Sequence, residues 1–365
     1  MDNISTPTLL LDEQVCRANI SRMVRKANEH QLDFRPHMKT HQSAAVGEWL
    51  REEGVQSITV SSVSMARYFA QNGWKDITIA FPCNLREAKA INDLAGEIRL
   101  TVLINSAETA RQLNRALSHR VHACIELDIG SGRTGLSPSN TEAISKLIHI
   151  IRNETNRIEL AGFYSHPGHS YGARSKQEIL KVHQNTLIQI DNLKEALSDD
   201  WDALDVCIGD TPCCSVATDF TGIDAISPGN FIFYDLMQQQ IGSCRTEDIA
   251  VAVACPVVEL FPERNEIAIY GGAVHFSKEG LQLPETQGVC FGYVAQKTTA
   301  GWAVPDRSTF LRKISQEHGI VSCRPEDFNT YSVGDLITIL PVHSCLTANL
   351  LGQFCLQDGR MIPMR

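Results

Sequence analysis

The chain has no excess of positive charge. Lysine and arginine number 33 against 42 aspartates and glutamates, for a formal net charge of −9. That balance argues against nucleic acid or an anionic membrane surface as the main partner. No apolar stretch reaches the length of a membrane span. The opening residues, Met1-Asp2-Asn3-Ile4-Ser5-Thr6-Pro7, carry neither the basic segment nor the apolar run of a secretory signal. A cytoplasmic setting is therefore expected. The 12 cysteines contain no Cys-x-x-Cys pair, and reduced thiols are the expectation in that compartment. Cys124, Cys207 and Cys255 lie in apolar runs and read as small buried hydrophobes. The 14 prolines and 24 glycines are scattered, with no low-complexity run.

What remains is a globular composition. Hydrophobic residues make up 43% of the 365 and charged residues 21%, enough for a full core. The length suits one barrel-sized domain and a smaller one. Eight short apolar runs read as strands: 33–35, 57–61, 77–81, 99–104, 121–129, 158–164, 204–208 and 224–226. Amphipathic stretches lie between them, among them 13–30, 64–72, 107–117, 140–151 and 176–197. Strand–helix repetition of this kind predicts a parallel sheet. Eight units in about 250 residues is the count of a closed (β/α)8 TIM-like barrel, with an open doubly wound sheet as the alternative.

After Leu236 the pattern changes. Strands with little helix between them are expected at 249–260, 266–270, 288–295, 336–340 and 353–357, punctuated by Gly271-Gly272, Pro284, Gly301 and Gly334-Asp335. The predicted organisation is a barrel over residues 12–240 and an all-β C-terminal domain over 241–365. Residues 1–11 form an extended segment that pairs with the β-domain or caps the barrel.

Polar and glycine-rich residues gather just after the barrel strands, the end at which barrel enzymes place their sites. Pro36-His37-Met38-Lys39-Thr40-His41 follows the first strand and Gly130-Ser131-Gly132-Arg133-Thr134-Gly135 the fifth. Tyr164, His166 and Gly168-His169 follow the sixth, Gly209-Asp210-Thr211 the seventh and Pro228-Gly229-Asn230 the eighth. A lysine buried at such a strand end, flanked by His37 and His41, would lose charge and condense with a carbonyl; on residue type alone a solvated loop lysine is commoner. Gly209, Thr211, Gly229 and Asn230 fit a phosphate cradle, against ordinary loop punctuation. Arg133 is a donor to a bound cofactor, or else a surface ion-pair partner. His343 and Cys345, alternate residues read as an extended segment after the strand at 336–340, would face one side and share a metal. Imidazole with thiolate favours zinc. The plainer alternative is a half-buried histidine beside a core cysteine.

Taken together, Thr6-Pro7-Thr8-Leu9-Leu10-Leu11-Asp12, Arg35-Pro36-His37-Met38-Lys39-Thr40-His41 and Pro341-Val342-His343-Ser344-Cys345 resemble the D-threonine aldolase and D-serine dehydratase family. These are fold-type III pyridoxal-phosphate enzymes, alanine racemase-like in architecture. The resemblance runs over nearly the whole chain. It implies a barrel followed by a β-domain, Lys39 as the lysine carrying pyridoxal 5'-phosphate in a Schiff base, and Arg133 near the cofactor's phenolic oxygen. Tyr164 and His169 would line the pocket, and Gly209, Thr211, Gly229 and Asn230 would lie on the phosphate side. His343 and Cys345 would hold a divalent metal, and the enzyme would be a homodimer. Two features depart from the family pattern: Asp210 stands in a stretch expected to be richer in glycine, and Tyr270-Gly271-Gly272-Ala273-Val274-His275 lacks an expected acidic residue. His275 is then a pocket residue of a subgroup or a satisfied structural histidine.

The activity so implied is a lyase acting on a small D-3-hydroxy amino acid. D-serine dehydration to pyruvate and ammonia is expected first, because Cys345 is a thiol where aldolase-like members would carry a carboxylate. Retro-aldol cleavage of the D-threonine aldolase type comes second, with His166, His169 or a metal-bound hydroxide as the base. A racemase, needing two bases and no metal, comes third, and a non-catalytic pyridoxal-phosphate carrier last.

Overall fold

A computed structural model describes residues 4–283, 288–299 and 301–365; Pro284 falls outside these. The chain forms two compact units. The barrel unit comprises Arg22–Lys39 and Gly47–Gly229, and the β unit comprises Met1–Ser21, Thr40–Val46 and Asn230–Arg365.

The chain opens with strand β1 (Thr8–Leu11) and helix α1 (Glu13–Glu29). Eight parallel strands follow: β2 (Asp33–Phe34), β3 (Ser57–Val60), β4 (Asp76–Pro82), β5 (Arg99–Leu103), β6 (Val121–Leu127), β7 (Ile158–Ser165), β8 (Asp205–Ile208) and β9 (Ala225–Ile226). Between them run α2 (Ala44–Glu52), α3 (Val63–Gln71), α4 (Ala88–Ala95), α5 (Ala107–Ala116), α6 (Thr141–Glu154), α7 (Lys176–Ala196) and α8 (Thr211–Val216). The sheet order is β2-β9-β8-β7-β6-β5-β4-β3. A parallel bridge between His37 and Thr59 closes the remaining gap. There Met38 N–H donates to Thr59 O at 2.8 Å, and Thr59 N–H to Pro36 O at 3.0 Å. The barrel read from the strand–helix alternation is thus present and nearly complete.

Local chemistry explains why these segments start where they do. Ser62, Ser106, Asn140, Ser175 and Asp210 cap α3, α5, α6, α7 and α8 through side-chain acceptors, each worth about 1 kcal/mol. Ile58, Val60, Ile77, Ile79, Leu100 and Val102 are buried, as strands covered on both faces require. Gly162 carries the one irregularity between β6 and β7. The register slips by a residue opposite it, its φ is +153°, and a Cβ there would lie 1.9 Å from Asp205 O. Only glycine makes this bulge.

The β unit is built on a nine-stranded sheet. Val251–Phe261 (β10) pairs antiparallel with β1, from Thr8 opposite Ala254 to Leu11 opposite Val251, so the extended N-terminal segment joins the β-domain. Glu266–Tyr270 (β11) also pairs with β10, curling the sheet back on itself. Strands Phe310–Ile314 and His318–Ser322 were not expected: exposed Arg312 and Lys313 interrupt the apolar signal of the first, and the second offers only Ile320 and Val321. The run expected at 288–295 splits into Gly288–Cys290 and Gly292–Val294.

A larger correction concerns His343 and Cys345. The strand before them ends at Pro341, and Ser344–Leu351 is a helix with His343 at its N-cap. The extended segment expected there does not form. The cause is Asp235, whose Oδ2 accepts Ser344 N–H at 3.0 Å and the Ser344 hydroxyl at 3.2 Å, satisfying donors a strand would have spent elsewhere. Among the described residues no helix is long and apolar enough to cross a membrane.

Candidate active site

The barrel unit brings most of the expected residues to the C-terminal ends of its strands. His37 is buried and Lys39 half-buried, and His37 Nδ1 accepts the Lys39 backbone N–H at 3.4 Å. His166 follows β7, and its Nδ1 is hydrogen-bonded to Gly209 O. A carbonyl only accepts, so Nδ1 carries the proton and Nε2 keeps the lone pair. Burial, then the charges of Lys39 and Arg133, hold His166 down to about 3. It is a neutral imidazole at physiological pH, within the electrostatic reach of both cations.

Two glycine-rich loops interlock beside it. Asp128 Oδ1 accepts Gly130 N–H at 3.1 Å, Gly132 N–H at 3.0 Å and the Ser131 hydroxyl at 3.3 Å. Buried Glu126 holds the other end of the loop by accepting the Thr134 hydroxyl at 2.7 Å, and is itself fixed by the Asn105 amide, after β5, at 3.0 Å. Arg133 projects from this loop and is exposed. Gly130, at φ +124°, leaves just enough space for His169, whose Cε1 would lie 3.1 Å from a Cβ there. His169 Nδ1 is buried and finds no hydrogen-bond partner among the described residues. Such an atom costs free energy until something bonds it. A polar or anionic cofactor at this end of the barrel is what it would meet.

Tyr164 is buried among Leu103, Cys207 and Ala225 in the barrel interior, and burial pushes its phenol up. It remains a neutral donor. A Cβ on Gly209 would lie 2.9 Å from Tyr164 Oη and 2.8 Å from Ser227 O, so this loop passes close because it is glycine. The N–H groups of Gly209 and Thr211 already donate to Ser165 O at 2.9 Å and to Tyr171 Oη at 3.2 Å. Asp210 proves to be structural: its Oδ2 caps α8 through Cys213 N–H at 2.8 Å and takes the Ser170 hydroxyl at 2.7 Å. Gly229 is buried after β9.

The β unit holds a second cluster. Cys345 Sγ lies 3.3 Å from Thr40 Oγ1 and accepts the Asn230 amide at 3.4 Å. Burial opposes ionisation of this thiol, but hydrogen bonding to His343 and the imidazole charge bring it below its ordinary value. Burial likewise opposes protonation of His343, but the Cys345 thiolate outweighs it and Asp235 and Glu279 add to it, raising His343 to about 10. Each group thus favours the charged form of the other, and a metal binding the pair would displace a proton from it. Asn230, expected on the phosphate side, has its amide 2.7 Å from Asp235 Oδ2 and 3.1 Å from Ser344 Oγ. Among the described residues no group of three or more His, Cys, Asp or Glu is arranged around a metal. Two donors suit an open site completed by water and substrate.

Asp235 and Glu279 were missed from sequence. Neither lies in a motif, and only the fold brings them to His343 and Ser344. His41 is buried and held down to about 3 by that burial. His275 Nδ1 accepts Gly272 N–H at 3.1 Å, closing its own turn.

The barrel and the segment after it each match a known domain. The family model described as the alanine racemase N-terminal domain matches residues 11–235. One described as a putative serine dehydratase domain matches residues 250–356. D-serine dehydratase of Dictyostelium discoideum is 29% identical, over 97% of this chain and 93% of that protein. D-threo-3-hydroxyaspartate dehydratase of Delftia sp. is 26% identical, over 94% and 92% respectively. The solved structure of the Delftia enzyme superposes with a TM-score of 0.90 at 23% identity, covering 100% of this chain and 98% of that one. A cysteine-to-alanine variant of that enzyme is described in its metal-free form.

Proposed function

This chain belongs to the alanine racemase-like family of fold-type III pyridoxal-phosphate enzymes, and on that premise we propose that it is a metal-dependent D-serine dehydratase, converting D-serine to pyruvate and ammonia. The observation that carries the reading is the His343–Cys345 pair, a soft thiolate and an imidazole already held against each other. That donor set favours zinc over magnesium or manganese. The nearly full-length likeness to dehydratases from two organisms supports it.

Pyridoxal phosphate held at Lys39 supplies an electron sink for charge developing at the substrate Cα, and zinc held at His343 and Cys345 supplies a Lewis acid for the departing β-hydroxyl. The protein's own groups then divide the work. Lys39 Nζ takes the Cα proton. Arg133 contributes positive charge to the cofactor's phenolic oxygen. Tyr164, kept protonated by burial, retains its O–H as a donor. Gly209, Thr211 and Gly229 frame the phosphate side, with His37 beside the lysine and His169 in the pocket wall. The enzyme acts as a cytoplasmic homodimer.

A second reading is retro-aldol cleavage, for which His166 keeps Nε2 unprotonated beside the β-hydroxyl's expected end of the barrel. Burial and the charges of Lys39 and Arg133 hold it down to about 3, which makes it a weak base for that proton and leaves dehydration the favoured reading. Product analysis separates the two. Holoenzyme incubated with D-serine and D-threonine should yield pyruvate and 2-oxobutyrate with ammonia, should lose this activity to a chelator, and should recover it with zinc. Glycine and an aldehyde as the only products, or full dehydration after complete metal removal, would sink the proposal.

A further inference from the structure

Glu279 lies in no catalytic motif, yet its Oε2 sits 2.6 Å from His343 Nδ1. A carboxylate only accepts, so Nδ1 carries the proton in this contact. The same imidazole is hydrogen-bonded to Cys345. With Nδ1 committed to Glu279, the nitrogen left for the thiol side is Nε2. The ring is therefore strung between a carboxylate and a thiolate.

The surroundings hold Glu279 in that place. Its backbone N–H donates to the Ser277 hydroxyl at 3.2 Å. Ser277 has φ +67°, a conformation that costs a non-glycine residue about 1 kcal/mol or more and persists only where the structure imposes it. The next residue, Gly280, has no room for a side chain, because a Cβ would lie 2.2 Å from Val289 Cγ1. Stability is a poor reason for such care. The Glu279 and His343 side chains are 42% and 27% exposed, and exposed ion pairs contribute between nothing and about 1 kcal/mol.

We propose that Glu279 is a positioning residue for the metal: it fixes His343 as the Nδ1–H tautomer, turns Nε2 toward the Cys345 thiolate and makes that nitrogen a stronger ligand. The inference rests on the reading of His343 and Cys345 as the metal pair. Carboxylates bonded to the far nitrogen of a ligating histidine do this in metal sites generally, and their loss weakens metal binding by about 10- to 100-fold. Glu279 would act through His343, since no third carboxylate, thiol or imidazole joins the pair among the described residues.

The test is zinc affinity of the holoenzyme, measured by competition with a chromogenic chelator for the parent, Glu279→Gln and Glu279→Ala. Glu279→Ala should bind zinc about 10- to 100-fold more weakly. Glu279→Gln should fall between, because its amide oxygen still accepts from Nδ1 but carries no charge. With cobalt(II) in place of zinc, the thiolate-to-metal absorption band should shift in both variants, while cofactor absorbance and melting temperature stay at the parent values. Zinc affinities within twofold of the parent, with an unshifted cobalt band, would overturn the role of Glu279 and leave the metal pair standing. A parent that binds no zinc at all would remove the metal pair itself, and this inference with it.

Discussion

Thr40 Oγ1 lies 3.3 Å from Cys345 Sγ, although 305 positions separate the two residues. Thr40 is joined by a peptide bond to Lys39, so the residue after the expected cofactor lysine bonds directly to the expected metal thiolate. A hydroxyl donating to a thiolate is a charge-assisted bond, worth about 1.5–3 kcal/mol. Thr40→Val keeps the shape and removes the donor. It should lower D-serine turnover by about 10-fold or more while leaving cofactor absorbance intact, as steady-state assays and a spectrum would show.

Lys39→Ala should abolish the absorbance band of bound pyridoxal phosphate and its fixation by borohydride. Turnover should fall by at least about 10²–10⁴-fold, the usual contribution of a proton-transferring group. A band that survives the substitution would mean that another amine carries the cofactor.

Two glycines should fail for different reasons. Gly209→Ala would press a methyl against Tyr164 Oη and Ser227 O, costing about 1–3 kcal/mol of overpacking and weakening cofactor binding. Gly162→Ala would put a Cβ inside the Asp205 carbonyl at φ +153°, so the β7–β8 pairing must open. Denaturant unfolding should show a modest loss for the first and little or no soluble folded protein for the second.

Acid should destabilise the fold through its buried histidines. Burial holds His41 at about 3 against an ordinary 6.5. Below 6.5 the unfolded chain takes a proton that the folded one refuses, so stability rises with pH there. It is present in full above 6.5 and is lost as pH falls toward 3. His166 has the same sign. His41→Asn, which retains an acceptor for Ser43 N–H, should therefore flatten part of the acid limb. Unfolding free energies at pH 7.5, 5.5 and 4.5 would measure it; an acid limb as steep as the parent's would refute the assignment.

Much of this was legible before the structure. The eight barrel strands fall within a few residues of their expected places, because strands buried on both faces are written as unbroken apolar runs. Strand Thr8–Leu11 forms within the extended segment expected at 1–11 and pairs with the β-domain. Legibility fails where the signal is not local. Phe310–Ile314 is broken by Arg312 and Lys313, and His318–Ser322 has only Ile320 and Val321 as apolar signal. The pairing of His318–Ser322 with β11 and of the two strands with each other supplies what the pattern lacks.

The sequence by itself determined the architecture and the kinds of donor available: a lysine after the first strand, glycines after the others, and a histidine and cysteine two positions apart near the end. Periodicity and residue chemistry are properties of short segments, and they survive without coordinates. Only the tertiary structure decided how those donors are held. It made a helix start of the segment expected to be extended, through the Asp235 carboxylate on Ser344. It moved the Asn230 amide to Cys345, and it set Glu279 behind His343. Hydrogen bonds act over about 3 Å whatever the distance along the chain, so a partner 64 positions from His343 leaves no trace in the sequence around it.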